Sequence, residues 1–102
     1  MSQTPVVSTS TADVIVLDGD LDIARAVELA AHLDRSMEER SGDLMLESAA
    51  VSFIDACALG VLVDAANRLA ISGRTLRMLS ASPCVRRILE ITELAGLLPT
   101  TR

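Results

Sequence analysis

The sequence predicts an α/β domain: a mainly parallel central sheet with helices, preceded by an N-terminal hairpin. Two observations carry this prediction. Short β-branched or apolar runs alternate with longer stretches in which apolar residues recur every three or four positions, the rhythm of a parallel sheet with right-handed crossovers. The junctions between them hold residues that start or stop elements, among them Asp22, Ser41-Gly42-Asp43, Asp55, Gly73 and Ser82-Pro83.

The first two runs are Val6-Val7 and Val14-Ile15-Val16-Leu17, separated by the Ser, Thr and Ala of residues 8–12, which predicts two strands paired as a hairpin. Asp18, Gly19, Asp20, Leu21 and Asp22 then break the pattern. Ile23, Ala26, Val27, Ala30, Leu33 and Met37 recur at helical spacing up to Arg40, with Asp22 as the N-cap. His32 falls off that stripe and is expected on a solvated face. Leu44-Met45-Leu46 suits a central parallel strand covered on both faces, and Phe53-Ile54 close that buried strand. After Asp55, the positions Leu59, Leu62, Val63, Ala66, Leu69 and Ala70 mark one helix face that ends at Gly73. Residues 75–79 form the next strand. Ser82 and Pro83 open a third helix with Val85, Ile88, Leu89 and Thr92 inward. Residues 1–102 thus read as a single domain with a core over about 5–98; Ser2 to Thr4 and Thr100 to Arg102 lack apolar anchors and are expected to be mobile.

Composition narrows the function. Half of the 102 residues are hydrophobic, yet Phe53 is the one aromatic residue, so the core is aliphatic and stacking surface for bases is scarce. A net charge of -5 repels phosphate backbones and anionic lipid, which argues against direct nucleic-acid or membrane binding. No apolar run approaches the roughly 20 residues that span a bilayer, and the polar start does not resemble a signal peptide, so the cytoplasm is the expected compartment. Cys57 and Cys84 lack zinc-like spacing, and no glycine-rich phosphate loop or paired Cys/His is present. No metal, cofactor or enzymatic activity is expected.

Leu17-Asp18-Gly19-Asp20-Leu21-Asp22, then Val51 to Gly60, then Gly73-Thr75-Leu76 and Ser82-Pro83-Val85-Leu89 occur in the order and at the separation seen in one small domain family. In these segments the chain resembles the STAS family, the fold of bacterial anti-sigma factor antagonists. The centre of the resemblance is Phe53-Ile54-Asp55-Ala56-Cys57-Ala58-Leu59-Gly60, followed by Val61-Leu62-Val63. The resemblance implies a partner surface made of Asp20, Asp22, Asp55, Ala56, Cys57, Ala58 and Leu59, and an anti-sigma factor of the serine-kinase type as partner.

The departures are informative. In the family the residue after the aspartate is usually a phosphorylatable serine, followed by a second serine and a glycine; here Ala56, Cys57 and Ala58 stand there. Ala56 has no hydroxyl, so the phosphate that adds about two negative charges and separates the partners has no site there. A constitutive antagonist, or one regulated otherwise, is expected. Ala58 in place of glycine favours the helix by up to about 1 kcal/mol. Two readings stand for the cysteines: inert thiols behaving as small hydrophobes, or a reversible disulfide between Cys57 and Cys84 replacing phosphate as the switch. The three aspartates also serve as caps and turn formers. A second resemblance implies a rival function: some short STAS proteins are similar to accessory subunits of ABC transporters that brace the ATPase, a reading that the absent serine and the short segment after Leu97 and Leu98 both suit.

Overall fold

A computed structural model describes residues 7–9, 14–94 and 96–98. The elements run β1 (Val7–Thr9), β2 (Val14–Leu21), α1 (Ile23–Glu39), β3 (Leu44–Ile54), α2 (Ala56–Ile71), β4 (Leu76–Ala81) and α3 (Pro83–Ile91). They form one sheet in the order β1-β2-β3-β4, with β1 antiparallel to β2 and the other pairs parallel. The predicted α/β class, parallel sheet and leading hairpin are all present. Ser8 and Thr9 belong to β1 rather than to the turn; residues 10–13, Ser2 to Thr4 and Thr100 to Arg102, on which the expectations of a turn and of mobile ends fall, lie outside the described residues.

Strand pleating sets the core. Ile15, Leu46 and Met78 lie side by side across the three parallel strands, as do Leu44 and Leu76, and none of the five has exposed surface. Each such side chain contributes about 2 kcal/mol by leaving water. Successive residues point to opposite faces, so Val14, Val16 and Met45 turn the other way and are half-buried. The strand expected to be covered on both faces is covered unequally: Leu44 and Leu46 are buried, and Met45 on the other face is half-buried.

Helix α1 starts and stops close to prediction but is rolled about its axis. Its buried face is Ala26, Leu29, Leu33 and Ser36, with Met37 against the core. Ile23 and Val27, predicted to point inward, are 66% and 78% exposed. The two candidate stripes share Ala26, Leu33 and Met37; the roll that buries the large Leu29 turns Ile23 and Val27 outward. His32 is half-buried rather than solvated, and burial first, then Arg35 and Arg40, lowers its pKa. In α2 the buried set is Ala58, Leu59, Leu62, Ala65, Ala66 and Leu69, whereas Ala70 is exposed. Gly73, at φ +76°, ends this helix: its N–H reaches Ala70 O at 3.0 Å, and the Arg74 N–H reaches Leu69 O at 2.9 Å. In α3, Ser82 caps as predicted, accepting the Val85 N–H at 3.3 Å, with Pro83 in the first turn. Thr92 is exposed, not inward; its hydroxyl donates to Ile88 O at 2.6 Å and so closes the helix.

One side chain ties the end of the fold opposite the strands' carboxyl ends. Arg74 donates to Gly42 O at 2.9 Å, to Arg40 O at 2.6 Å and to Met37 O at 3.3 Å, satisfying carbonyls left open where α1 stops. Beside it Asp43 accepts the Thr75 N–H at 2.9 Å and Arg77 Nε at 3.2 Å. The Thr75 amide, and after it Arg77, holds the Asp43 carboxyl below the usual aspartate range.

Arg74→Ala is expected to lower stability by about 2 kcal/mol in urea unfolding, because charge-assisted bonds to several carbonyls are lost together. Arg74→Lys recovers only part of it, since an ammonium lacks the planar fork. The Asp43 anion is favoured in the folded state, so its contribution is complete above the unfolded pKa and fades as pH falls through the folded one. The stability curves of the wild type and Asp43→Asn are expected to converge below about pH 4.

Candidate functional site

The parallel pairing of β2 and β3 brings the candidate residues to one rim. Leu21 and Ile54 are register partners, and the Asp55 N–H donates to Leu21 O at 3.1 Å. Asp22 and Asp55, the next residues on each strand, therefore emerge side by side at the carboxyl ends of the strands, where open α/β sheets present their sites. Each is the N-cap of the helix that follows it.

The two caps behave differently. Asp55 Oδ1 accepts the Ala58 N–H at 3.0 Å, while its main-chain carbonyl accepts the Leu59 N–H at 2.9 Å. Asp22 occupies the predicted cap position but makes no side-chain cap bond, and its Oδ1 is buried without a partner.

Asp20 sits one step earlier, in register with Phe53. Contrary to the expectation that residues 18–22 break the pattern, β2 continues to Leu21, with irregularities between Val16 and Asp18 and between Gly19 and Asp20. Gly19 takes φ +72°, a conformation that favours glycine, and this lets the strand bend without losing its partner. The bend leaves Asp20 exposed, with Oδ1 accepting the Ser52 hydroxyl at 2.9 Å and its main-chain carbonyl accepting Arg25 Nη1 at 3.4 Å. The Ser52 contact carries no sequence signal, because it depends on the strand register. Among the described residues no ion pair involves Asp18, Asp20, Asp22 or Asp55; the pairs present are Arg68 with Asp34 and Asp64, and Arg77 with Asp43.

Helix α2 sorts the rest of the turn by its periodicity. Ala56 and Cys57 are exposed in its first turn. Ala58 is fully buried and Leu59 is 9% exposed, so both side chains belong to the core and offer a partner little surface, unlike the expectation that placed them at the interface. Cys57 opens onto a groove of about 370 Å³ between α1 and α2, which Ala30, Gly60 and Val61 also line and in which Arg68 pairs with Asp34 and Asp64. Cys84 opens onto a different groove, of about 240 Å³, beside Phe53, Ile88 and Ile91. Both thiols are free. Among the described residues no group of three His, Cys, Asp or Glu side chains is placed to hold a metal ion, and no helix is long and apolar enough to cross a membrane.

Residues 3–102 match the STAS domain family. TM1081 of Thermotoga maritima, described as a candidate anti-sigma factor antagonist, shares the fold with TM-score 0.78 and 22% identity over 94% of this chain and 84% of that one. SpoIIAA, an anti-sigma factor antagonist in its unphosphorylated form, gives TM-score 0.74 and 18% identity, over 94% and 86% of the two chains. An anti-sigma factor antagonist from Mycobacterium paratuberculosis gives TM-score 0.76 and 21% identity, over 96% and 84%. No curated protein matches the chain.

The unequal caps make a measurable difference. Asp55→Ala is expected to cost about 1 kcal/mol in urea unfolding and Asp55→Asn only a few tenths, because Asn caps as well as Asp. Asp22→Ala is expected to cost less than Asp55→Ala, since no cap bond is lost.

Proposed function

The chain belongs to the STAS domain family, and from that premise we propose that it is an anti-sigma factor antagonist. In this reading it binds an anti-sigma factor of the serine-kinase type in the cytoplasm and thereby releases a sigma factor, with no catalysis of its own. The observation that carries the reading is the β3–α2 turn. Ala56 and Cys57 are presented outward by a helix start that Asp55 fixes, beside carboxylates that are in no ion pair among the described residues. The descriptions of the three similar structures as anti-sigma factor antagonists support it.

The same turn sets how the interaction is controlled. Ala56 stands where phosphorylatable relatives place their acceptor serine. A phosphate there would bring a dianion against an already acidic rim and against the partner, repelling and desolvating both. Without a hydroxyl that step does not occur, and the antagonist holds its partner whenever it is expressed. Control then passes to synthesis of the protein, or to chemistry at Cys57, the exposed thiol beside the turn.

Ala56 also suits a second reading, the accessory subunit of an ABC transporter, which needs no phosphoacceptor. Pull-downs of the purified chain against anti-sigma kinases and against transporter ATPases separate the two. For the antagonist, incubation with the cognate kinase and ATP is expected to leave the intact mass of the wild type unchanged. Ala56→Ser is expected to gain one phosphate and to lose affinity once it is modified. Stoichiometric phosphate on Ser52, Ser80 or Ser82 of the wild type would overturn constitutive antagonism.

A further inference from the structure

We infer that the outward stripe of α1, Ile23 and Val27 leading to Ala30, forms with the apolar lining of the α1–α2 groove, Ala30, Leu33, Val61 and Ala65, the apolar half of the partner-binding surface, whose occupant is an apolar segment of the anti-sigma factor flanked by lysine or arginine. The inference rests on the antagonist reading and specifies where and how that partner docks.

Position is the first support. Ile23 directly follows Asp22 and opens α1, Val27 lies one turn further on the same side, and Ala30 continues the row into the groove. The row covers about 10 Å of helix. At 66% and 78% exposure, Ile23 and Val27 put little of their hydrocarbon against this chain. Surface aliphatics are ordinary when scattered; these two are adjacent, on one helix, and border the acidic rim.

Charge complementarity identifies the occupant. Asp20, Asp22 and Asp55 end or follow the neighbouring strands, and among the described residues none is in an ion pair. Asp20, the exposed one of the three, presents its carboxylate to solvent. The chain's net charge of -5 adds a long-range field of the same sign. An apolar row bordered on one side by carboxylates is matched by a segment with aliphatic side chains and adjacent cations, the helix-in-groove mode of recognition. The groove has room to admit it: a Cβ added at Gly60 would meet nothing within 4 Å.

The test uses the full chain and the serine-kinase-type anti-sigma factors encoded in the same genome, each purified and titrated separately. Ile23→Gln/Val27→Gln is expected to keep the circular dichroism spectrum and melting temperature, because both positions face solvent; Gly60→Gln is expected to keep the fold and raise the melting temperature slightly, because it has open space and Gln favours a helix interior over Gly. Each is expected to weaken the best-binding anti-sigma factor by about tenfold or more. Ile71→Gln, which replaces an 86% exposed residue at the far end of α2, is expected to leave affinity unchanged. Unchanged affinity in the two groove variants overturns the docking surface while leaving the antagonist reading intact. Failure of every anti-sigma factor to bind the wild type overturns that reading itself. A concentration-dependent dimer of the wild type that the double variant abolishes, with anti-sigma binding retained, assigns the stripe to a second copy and also overturns the inference.

Discussion

The hydrogen bond from the Asp55 amide to Leu21 O is small in energy, yet the site depends on the geometry it reports. β3 is central, paired in parallel with β2 on one side and β4 on the other. Parallel strands finish at the same end of a sheet, so the residues that follow them meet there whatever their separation in sequence. Asp22 and Asp55 become neighbours by this route. The Asp55 side chain then starts α2 by taking the Ala58 N–H, which fixes Ala56 and Cys57 on the outside and Ala58 and Leu59 on the inside. Strand register, helix phase and the chemistry offered to a partner are thus one constraint.

The opposite end of the fold is tied by charge. Arg74 gathers carbonyls of α1 and of the loop after it, and Asp43 joins β3 to the Thr75 amide and Arg77 of the neighbouring strand. The carboxylate at that end is paired with a cation. At the rim the balance is different: the carboxylates have no cation within ion-pair distance among the described residues. Folding leaves unsatisfied chemistry on the side where the site is proposed. That contrast is the electrostatic argument for a basic partner, and the exposed Ile23 and Val27 extend it from charge to hydrocarbon.

Position 56 separates docking from switching. A methyl group at the first position of α2 leaves the helix start and its cap intact, because the cap is made by Asp55 and by backbone N–H groups. What it removes is the hydroxyl. Under the proposed reading, the docking turn is kept and the phosphate acceptor is absent. The two thiols open onto separate grooves, so a disulfide between them is not preformed by the fold, and Cys57 is the one adjoining the turn.

The sequence by itself determined the element order, the caps at Asp55 and Ser82, the stop at Gly73 and the missing hydroxyl at position 56. These follow from local rules: periodicity, capping chemistry and the identity of one side chain. Tertiary structure decided the roll of α1, the continuation of β2 through Gly19, the Ser52–Asp20 bond and the clamp made by Arg74. The stripes Ile23-Val27-Ala30 and Ala26-Leu29-Leu33 are equally good helical patterns, and only packing against the sheet and α2 selects Leu29 for the interior. The Ser52 and Arg74 contacts join segments about 32 residues apart or more, so they exist only once register and crossover have placed them. Local propensity has no access to that information, because it resides in the distances between elements.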